Sequence, residues 1–224
     1  MIGNSDAGLM LGLLLSIVHL AGETLSPKLE RYHCELISFS AGVLITLLFS
    51  ELLPIAARDN LNFTFILLGF VAFHSLEKYV YQRHPSQFKR ELGRLDSAGF
   101  FVVNFLNGFA LMVIYDFDPQ LAYLFAIPMA IVELASAAFL SGILEKTKNG
   151  GIMKLVLSAS VLLGALAATV FRLDSVLANN VFAFAIGTMF YIVIKDMMPR
   201  HREGRLEYFL AGVGGMYAAI VMFG

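Results

Sequence analysis

Eight stretches of this 224-residue chain are apolar for about the length that a helix needs to cross a lipid bilayer. None shows the strict alternation of a membrane β-strand, and a segment in lipid has to satisfy its own backbone polar groups, so helices are expected. We therefore predict an all-α membrane protein with eight transmembrane helices, at residues 7–25, 35–56, 62–82, 97–115, 119–143, 151–171, 175–197 and 205–223.

The composition supports this class. Hydrophobic residues make up 58% of the chain and charged residues 15%, a balance far more apolar than that of an ordinary soluble domain. A net charge of −1 gives no reason to expect a nucleic acid partner. We expect a single transmembrane domain over residues 1–224, with the lipid bilayer as its main partner and no cofactor.

The basic residues indicate an orientation. If the N-terminus is outside, fourteen of the sixteen Lys and Arg residues fall in the inner loops or the adjoining helix ends, and only Arg58 and Arg172 fall outside. Cytoplasmic loops favour Lys and Arg, so this bias predicts a multi-pass protein with both termini on the non-cytoplasmic side. It also supports an even number of spans.

A motif occurs twice, in spans two and seven. Gly42 is followed by eight residues, Glu51, two large apolar residues and Pro54, and the same spacing joins Gly187, Asp196 and Pro199. Chance similarity between two apolar helices is the alternative, but carboxylates are costly inside a membrane and seldom recur at matching positions by accident.

The two copies run in opposite directions across the membrane, which predicts an inverted repeat. Helices 1–3 (about 7–82) would correspond to helices 6–8 (about 151–223), on either side of a central pair at about 97–143. Secondary transporters often have this plan, with the substrate site near the midplane. Glu51 and Asp196 would then be pathway or gate residues at the outer and inner mouths, or simply acids in the headgroup zone.

Polar residues in the central pair form a candidate site. Asn104 and Asn107 share one helix face, and Glu133 lies near the middle of its span with Ser136 on its flank. These side chains could bind a cation through oxygen atoms, or they could form an interhelical hydrogen-bond network around a protonated Glu133.

His19 and Glu23 lie four residues apart on the first span and therefore share a face. They could form a metal-binding pair or a proton relay, which makes them further pathway candidates. A histidine that merely packs between helices is the alternative.

The repeated motif resembles that of the ZIP (Zrt/Irt-like) family of divalent metal transporters. The family's second helix has a glycine-led apolar run ending in a His-Leu-Leu-Pro type motif, compared with Glu51-Leu52-Leu53-Pro54 here. Its seventh helix has a Gly-Thr, aromatic-Tyr, acid and Pro pattern, similar to Gly187-Thr188, Phe190-Tyr191, Asp196 and Pro199. The resemblance implies the family's eight-helix fold, with inverted repeats around helices 4 and 5.

The family's metal site lies on helices four and five, where this chain departs from the pattern. The usual His-Asn-Phe of helix four is Val103-Asn104-Phe105, and Asn107 replaces the acid before Gly108. In helix five Glu133 matches the acid of the first His-Glu pair, and Ser136 stands in place of the second histidine, although an alignment on Pro128 would change this register. The resemblance implies a metal site at Asn104, Asn107, Glu133 and Ser136. Without histidine in that set, oxygen-preferring ions such as manganese are favoured over tight zinc binding.

Two functions remain open. The first is a ZIP-like transporter that moves a divalent cation towards the cytoplasm with altered selectivity. The second is a divergent ZIP-fold membrane protein without metal transport, with a regulatory or assembly role or a different solute. An intramembrane enzyme is not expected, because the GxSxG, HExxH and GxGD motifs are absent. A homodimer is compatible with either function.

Overall fold

Long helices make up almost all of the computed structural model, which describes residues 3–56, 60–83, 88–144, 150–171, 175–197 and 204–223. No strand occurs in these ranges. In chain order the helices are α1 (Gly3–Leu29), α2 (His33–Leu47, continued by Leu48–Leu52 and Leu53–Ala56), α3 (Asn60–Arg83), α4 (Phe88–Phe117), α5 (Pro119–Leu144), α6 (Gly150–Phe171), α7 (Ser175–Ile192, continued by Val193–Met197) and α8 (Leu206–Phe223).

The prediction of eight long helices is confirmed, and most boundaries differ from the predicted ones by only a few residues. The exception is α4. The predicted spans 62–82 and 97–115 leave residues 83–96 as a connection, but the helix already begins at Phe88. Gly93 does not interrupt it, because a helix-interior glycine costs only about 1 kcal/mol relative to alanine and the surrounding Lys, Arg, Glu and Leu are good helix formers.

Within the described residues, six of the helices contain an apolar stretch long enough to cross a membrane, namely α1, α2, α4, α5, α6 and α7. The described parts of α3 and α8 also contain apolar stretches, at Asn62–Leu76 and Leu206–Met222. Large apolar side chains cover much of the outer surface, with Met10, Val170 and Met222 each at least 70% exposed. Such a surface suits lipid and is unusual for a soluble monomer.

The helices pack in a regular pattern. One group is formed by α1, α4, α5 and α6, in which α1 packs on α5 and α6, and α4 packs on α5 and α6. The remaining helices form the pairs α2 with α8 and α3 with α7. Contacts of α2 with α5 and of α4 with α7 join the pairs to the group of four.

Glycines permit the closest crossings. In the α2–α8 pair, a Cβ atom on Gly42 would collide with the backbone carbonyl of Phe209, and one on Gly212 with that of Phe39. The α3–α7 pair has the same reciprocal contacts, at Gly69 with Phe184 and at Gly187 with Ile66. Both pairs therefore cross backbone to backbone, which only residues without a side chain allow.

Both copies of the repeated motif contain a wide, π-helical turn. In α2 this turn is Leu48–Leu52 and includes Glu51, and in α7 it is Val193–Met197 and includes Asp196. Each turn begins six residues after the glycine of its motif. Turns of this kind are rare and are often found at functional positions in helices. Phe49 and Phe190 contact each other edge to face, with ring centroids 5.2 Å apart, beside these turns.

Candidate functional site: a buried polar cluster on α1, α4, α5 and α6

The interior of the group formed by α1, α4, α5 and α6 contains charged and polar side chains. His19 is 0% exposed, Glu133 1% and Glu23 8%. Asn104 and Asn107 are also buried. Burying such groups in an apolar surrounding costs several kcal/mol unless they are paired, so their contacts determine what the cluster can do.

Glu133 is the centre of these contacts. Its Oε2 lies 2.6 Å from His19 Nδ1 and accepts a hydrogen bond from Asn104 Nδ2 at 3.0 Å. When Glu133 is a carboxylate, it can only accept, so Nδ1 of His19 carries a proton and donates it to Oε2. A short contact of this kind between a histidine and a carboxylate is among the stronger hydrogen bonds in proteins.

A glycine on α1 brings His19 within reach of α5. A Cβ atom on Gly22 would lie 2.7 Å from the backbone oxygen of Leu134 and 2.9 Å from Cβ of Ala137. The two backbones can approach closely here because neither Gly22 nor Ala137 has a bulky side chain. His19, almost one turn before Gly22, can then contact Glu133 directly.

The second ring nitrogen of His19 faces another carboxylate. Its Nε2 lies 3.7 Å from Oε1 of Glu23, one turn further along α1. Neither atom has a hydrogen-bond partner among the described residues, although both are buried. This is the least satisfied part of the cluster.

A lysine completes the cluster. The Glu23 carboxylate interacts with the Lys154 ammonium group and lies beside the Ser158 hydroxyl, both on α6. Lys154 Nζ also donates to Ser141 Oγ on α5, at 2.7 Å. Two carboxylates, one imidazole and one ammonium group thus follow one another from α5 through α1 to α6.

The predicted site residues fall into two sets. Asn104 and Glu133 meet, as the hypothesis of a central site requires. Asn107 is buried on the same helix as Asn104, and its Oδ1 has no partner within the described part of the chain. Ser136 donates its hydroxyl proton to the backbone carbonyl of Glu133 at 3.2 Å, so this hydroxyl serves its own helix.

His19 and Glu23 join the central cluster rather than a separate pathway. Glu51 and Asp196 instead occupy the π-helical turns of α2 and α7, and the side chain of Asp196 lies outside the described part of the structure. Lys154 is one of the fourteen basic residues assigned to the inner side, and the sequence does not predict it as a site residue. The signal that could identify it is that it is the only charged residue of the predicted span 151–171.

Within the described residues, no group of three or more His, Cys, Asp or Glu side chains is placed to hold one metal ion. The reason is visible at His19, whose two ring nitrogens face different carboxylates and point away from each other. A cation in this cluster would therefore contact only some of these side chains directly, and the remaining ones would interact with its ligands.

Neither a protein-family model nor a curated protein matches this chain. The fold and the apolar surface define the class of the protein, which is a multi-pass helical membrane protein. Its distinguishing feature is the charged cluster inside the helix bundle.

Proposed function

We propose that the protein is a ZIP-like membrane transporter that moves a divalent metal cation towards the cytoplasm, through a site on the helices around Glu133. The observation that carries this proposal is the buried cluster of Glu133, His19 and Glu23. Ionisable groups inside a membrane protein are costly and usually mark an ion or proton pathway.

The helix contacts support the inverted repeat on which the proposal depends. The inverted repeat exchanges α1 with α6, α2 with α7, α3 with α8, and α4 with α5. This exchange converts the α2–α8 pair into the α7–α3 pair, and the α1–α5 contact into the α6–α4 contact. Each of these contacts is observed. The same exchange relates the glycine crossings of the α2–α8 pair to those of the α3–α7 pair, and the π-helical turn of α2 to that of α7. Such a correspondence is expected for a carrier built from two repeats, with its site at the interface between them.

The donor atoms of the cluster favour ions of intermediate softness. The motif on α4 and α5 alone offers only oxygen atoms, which suit manganese, magnesium or calcium. His19 adds an imidazole from α1, and imidazole suits iron, zinc, copper and nickel. Manganese, iron, cobalt and zinc are therefore the cations to test first.

Flux through proteoliposomes tests the proposal. We expect the purified protein to carry Mn²⁺, Co²⁺ or Zn²⁺ down an imposed gradient, and Glu133→Gln to lower the rate by about 10–100-fold, the usual range for groups that ligate or orient a metal's ligands. Glu207→Gln is the matched control, since this acid is exposed on α8. No flux of any divalent ion in either direction would refute the proposal.

A second candidate is a membrane protein of the same fold that transports no metal. It is favoured by one observation: Oε2 of Glu133 has two partners within the protein, His19 and Asn104. In that case the cluster stabilises the bundle only. A ligand that binds the folded state must raise its stability, so a melting temperature unaffected by every divalent ion tested would support this candidate.

A further inference from the structure

The donor atoms of His19 and Glu23 are spaced as two ligands of one cation would be. Two metal–ligand bonds of about 2.0–2.2 Å that meet at roughly 110–120° separate their donor atoms by about 3.3–3.8 Å. Nε2 of His19 and Oε1 of Glu23 lie 3.7 Å apart, which is too far for a hydrogen bond and within this range. Both atoms are buried, and neither has a hydrogen-bond partner among the described residues.

Glu133 prepares His19 for this role. In the neutral tautomer in which Nδ1 donates its proton to Glu133, Nε2 directs its lone pair towards Glu23. Histidines that ligate metals almost always donate their other ring N–H to a carboxylate or carbonyl, which fixes the ring and increases its basicity. Asn104 in turn holds Oε2 of Glu133 from α4.

We propose that the divalent cation binds between Nε2 of His19 and Oε1 of Glu23, next to the Ser158 hydroxyl, and that Glu133 positions His19 instead of ligating the ion. This assignment deepens the proposed function and rests on it for the identity of the cargo. It moves the ligands from α4 and α5 to α1 and makes Asn104 and Glu133 positioning residues.

Lys154 gives the proposal a distinctive consequence. Its ammonium group interacts electrostatically with the same carboxylate that would ligate the ion, so it already places a positive charge near Glu23. The incoming cation is repelled by this charge, and the repulsion is stronger inside a bundle than in water because the dielectric constant is lower. Removing the ammonium group should therefore strengthen metal binding by at least about tenfold.

The experiment measures binding of Co²⁺ and Zn²⁺ to the purified full-length protein by isothermal titration calorimetry, with X-ray absorption of the Zn²⁺ complex to detect imidazole. We expect His19→Gln and Glu23→Gln to lower the affinity by at least about 100-fold, the upper end of the loss expected when a residue that only orients a ligand is removed. The imidazole signature should disappear in His19→Gln. Glu133→Gln should lower it by about 10–100-fold and retain the imidazole signature.

The Lys154→Met variant should bind Co²⁺ and Zn²⁺ more tightly than the wild type does. A misfolded protein would not show such a gain in affinity. The control variants are His74→Gln and Glu207→Gln, on exposed faces of α3 and α8, and they should bind as the wild type does. An unchanged affinity in His19→Gln, a purely oxygen coordination shell, or an unchanged or weaker affinity in Lys154→Met would overturn the assignment.

Failure of this inference can be distinguished from failure of the proposed function. If the wild type transports metal and His19→Gln transports it equally well, the ligand assignment is wrong and transport stands. If metal binds through His19 but no flux occurs, the ligand assignment stands and the transport function is wrong.

Discussion

His19 Nδ1 on α1 lies 2.6 Å from Glu133 Oε2 on α5, so the contact joins two residues that are 114 positions apart in the chain. Both side chains are almost completely buried. This pair connects the acid of the central helices to the first span. A substitution at either residue should therefore change the free energy of unfolding.

Replacing Glu133 by Ala should destabilise the protein. The change leaves the buried His19 and Asn104 donors without their acceptor, and breaking one partner of a buried pair typically costs about 3–5 kcal/mol. We expect a lower melting temperature in detergent and a reduced unfolding free energy. In a double-mutant cycle with His19→Ala, the two effects should be non-additive by about 0.5–3 kcal/mol; additive effects would show that the contact contributes nothing.

The glycine crossings should tolerate no side chain. A Cβ atom at Gly42 or Gly187 would collide with a backbone carbonyl of the neighbouring helix, and a rigid backbone cannot yield as a flexible side chain does. We expect Gly42→Ala and Gly187→Ala each to cost about 1–3 kcal/mol, the usual range for overpacking, as measured by thermal unfolding.

Gly214→Ala is the matched control for these variants, because nothing lies within 4 Å of a Cβ atom built at this position of α8. Alanine there should be neutral or should stabilise the helix by about 0.5–1 kcal/mol. Equal losses at all three positions would contradict the packing argument.

The predicted orientation can be tested with the chain's single cysteine. Cys34 is exposed near the start of α2, at an end that the distribution of basic residues places in the cytoplasm. We expect a membrane-impermeant thiol reagent to label it only after permeabilisation of the cells. In a Cys34→Ser background, Gln120→Cys at the start of α5 should be labelled in intact cells; the opposite pattern would invert the topology.

The π-helical turn of α2 should be needed for transport. A wide turn accommodates one extra residue and leaves backbone groups outside the regular helical ladder. Deleting Ser50, which lies inside the turn Leu48–Leu52, should restore a regular helix and rotate Glu51 to another face. We expect a folded protein with flux reduced at least about tenfold, a loss of a size seen when groups around a metal site are displaced; undiminished flux would make the turn structural only.

The sequence allowed the eight helices to be predicted because apolar length is a local property of the chain. It missed the helical start at Phe88, since a polar helix extension outside the apolar span has no hydropathy signal. Asn104 and Glu133 lie at middle depth in adjacent spans, so their proximity is accessible from the sequence, and the structure has a hydrogen bond between them.

The contact of His19 with Glu133 could not be predicted in the same way. It depends on the close packing of α1 on α5 at Gly22, which is a property of the tertiary structure. The same is true of Lys154, whose ammonium group reaches Glu23 only because α6 packs on α1. Which residues surround an acid inside a bundle is decided by helix packing, whereas which residues lie in the membrane is decided by composition.

The reciprocal glycine crossings limit how the bundle can move. At Gly42 and Gly212 in the α2–α8 pair, and at Gly69 and Gly187 in the α3–α7 pair, backbone meets backbone with no side chain in between. Close-packed contacts of this kind transmit a displacement instead of absorbing it, so a shift of α2 should carry α8 with it, and a shift of α3 should carry α7. We therefore expect each pair to move as one rigid body in any rearrangement of the bundle.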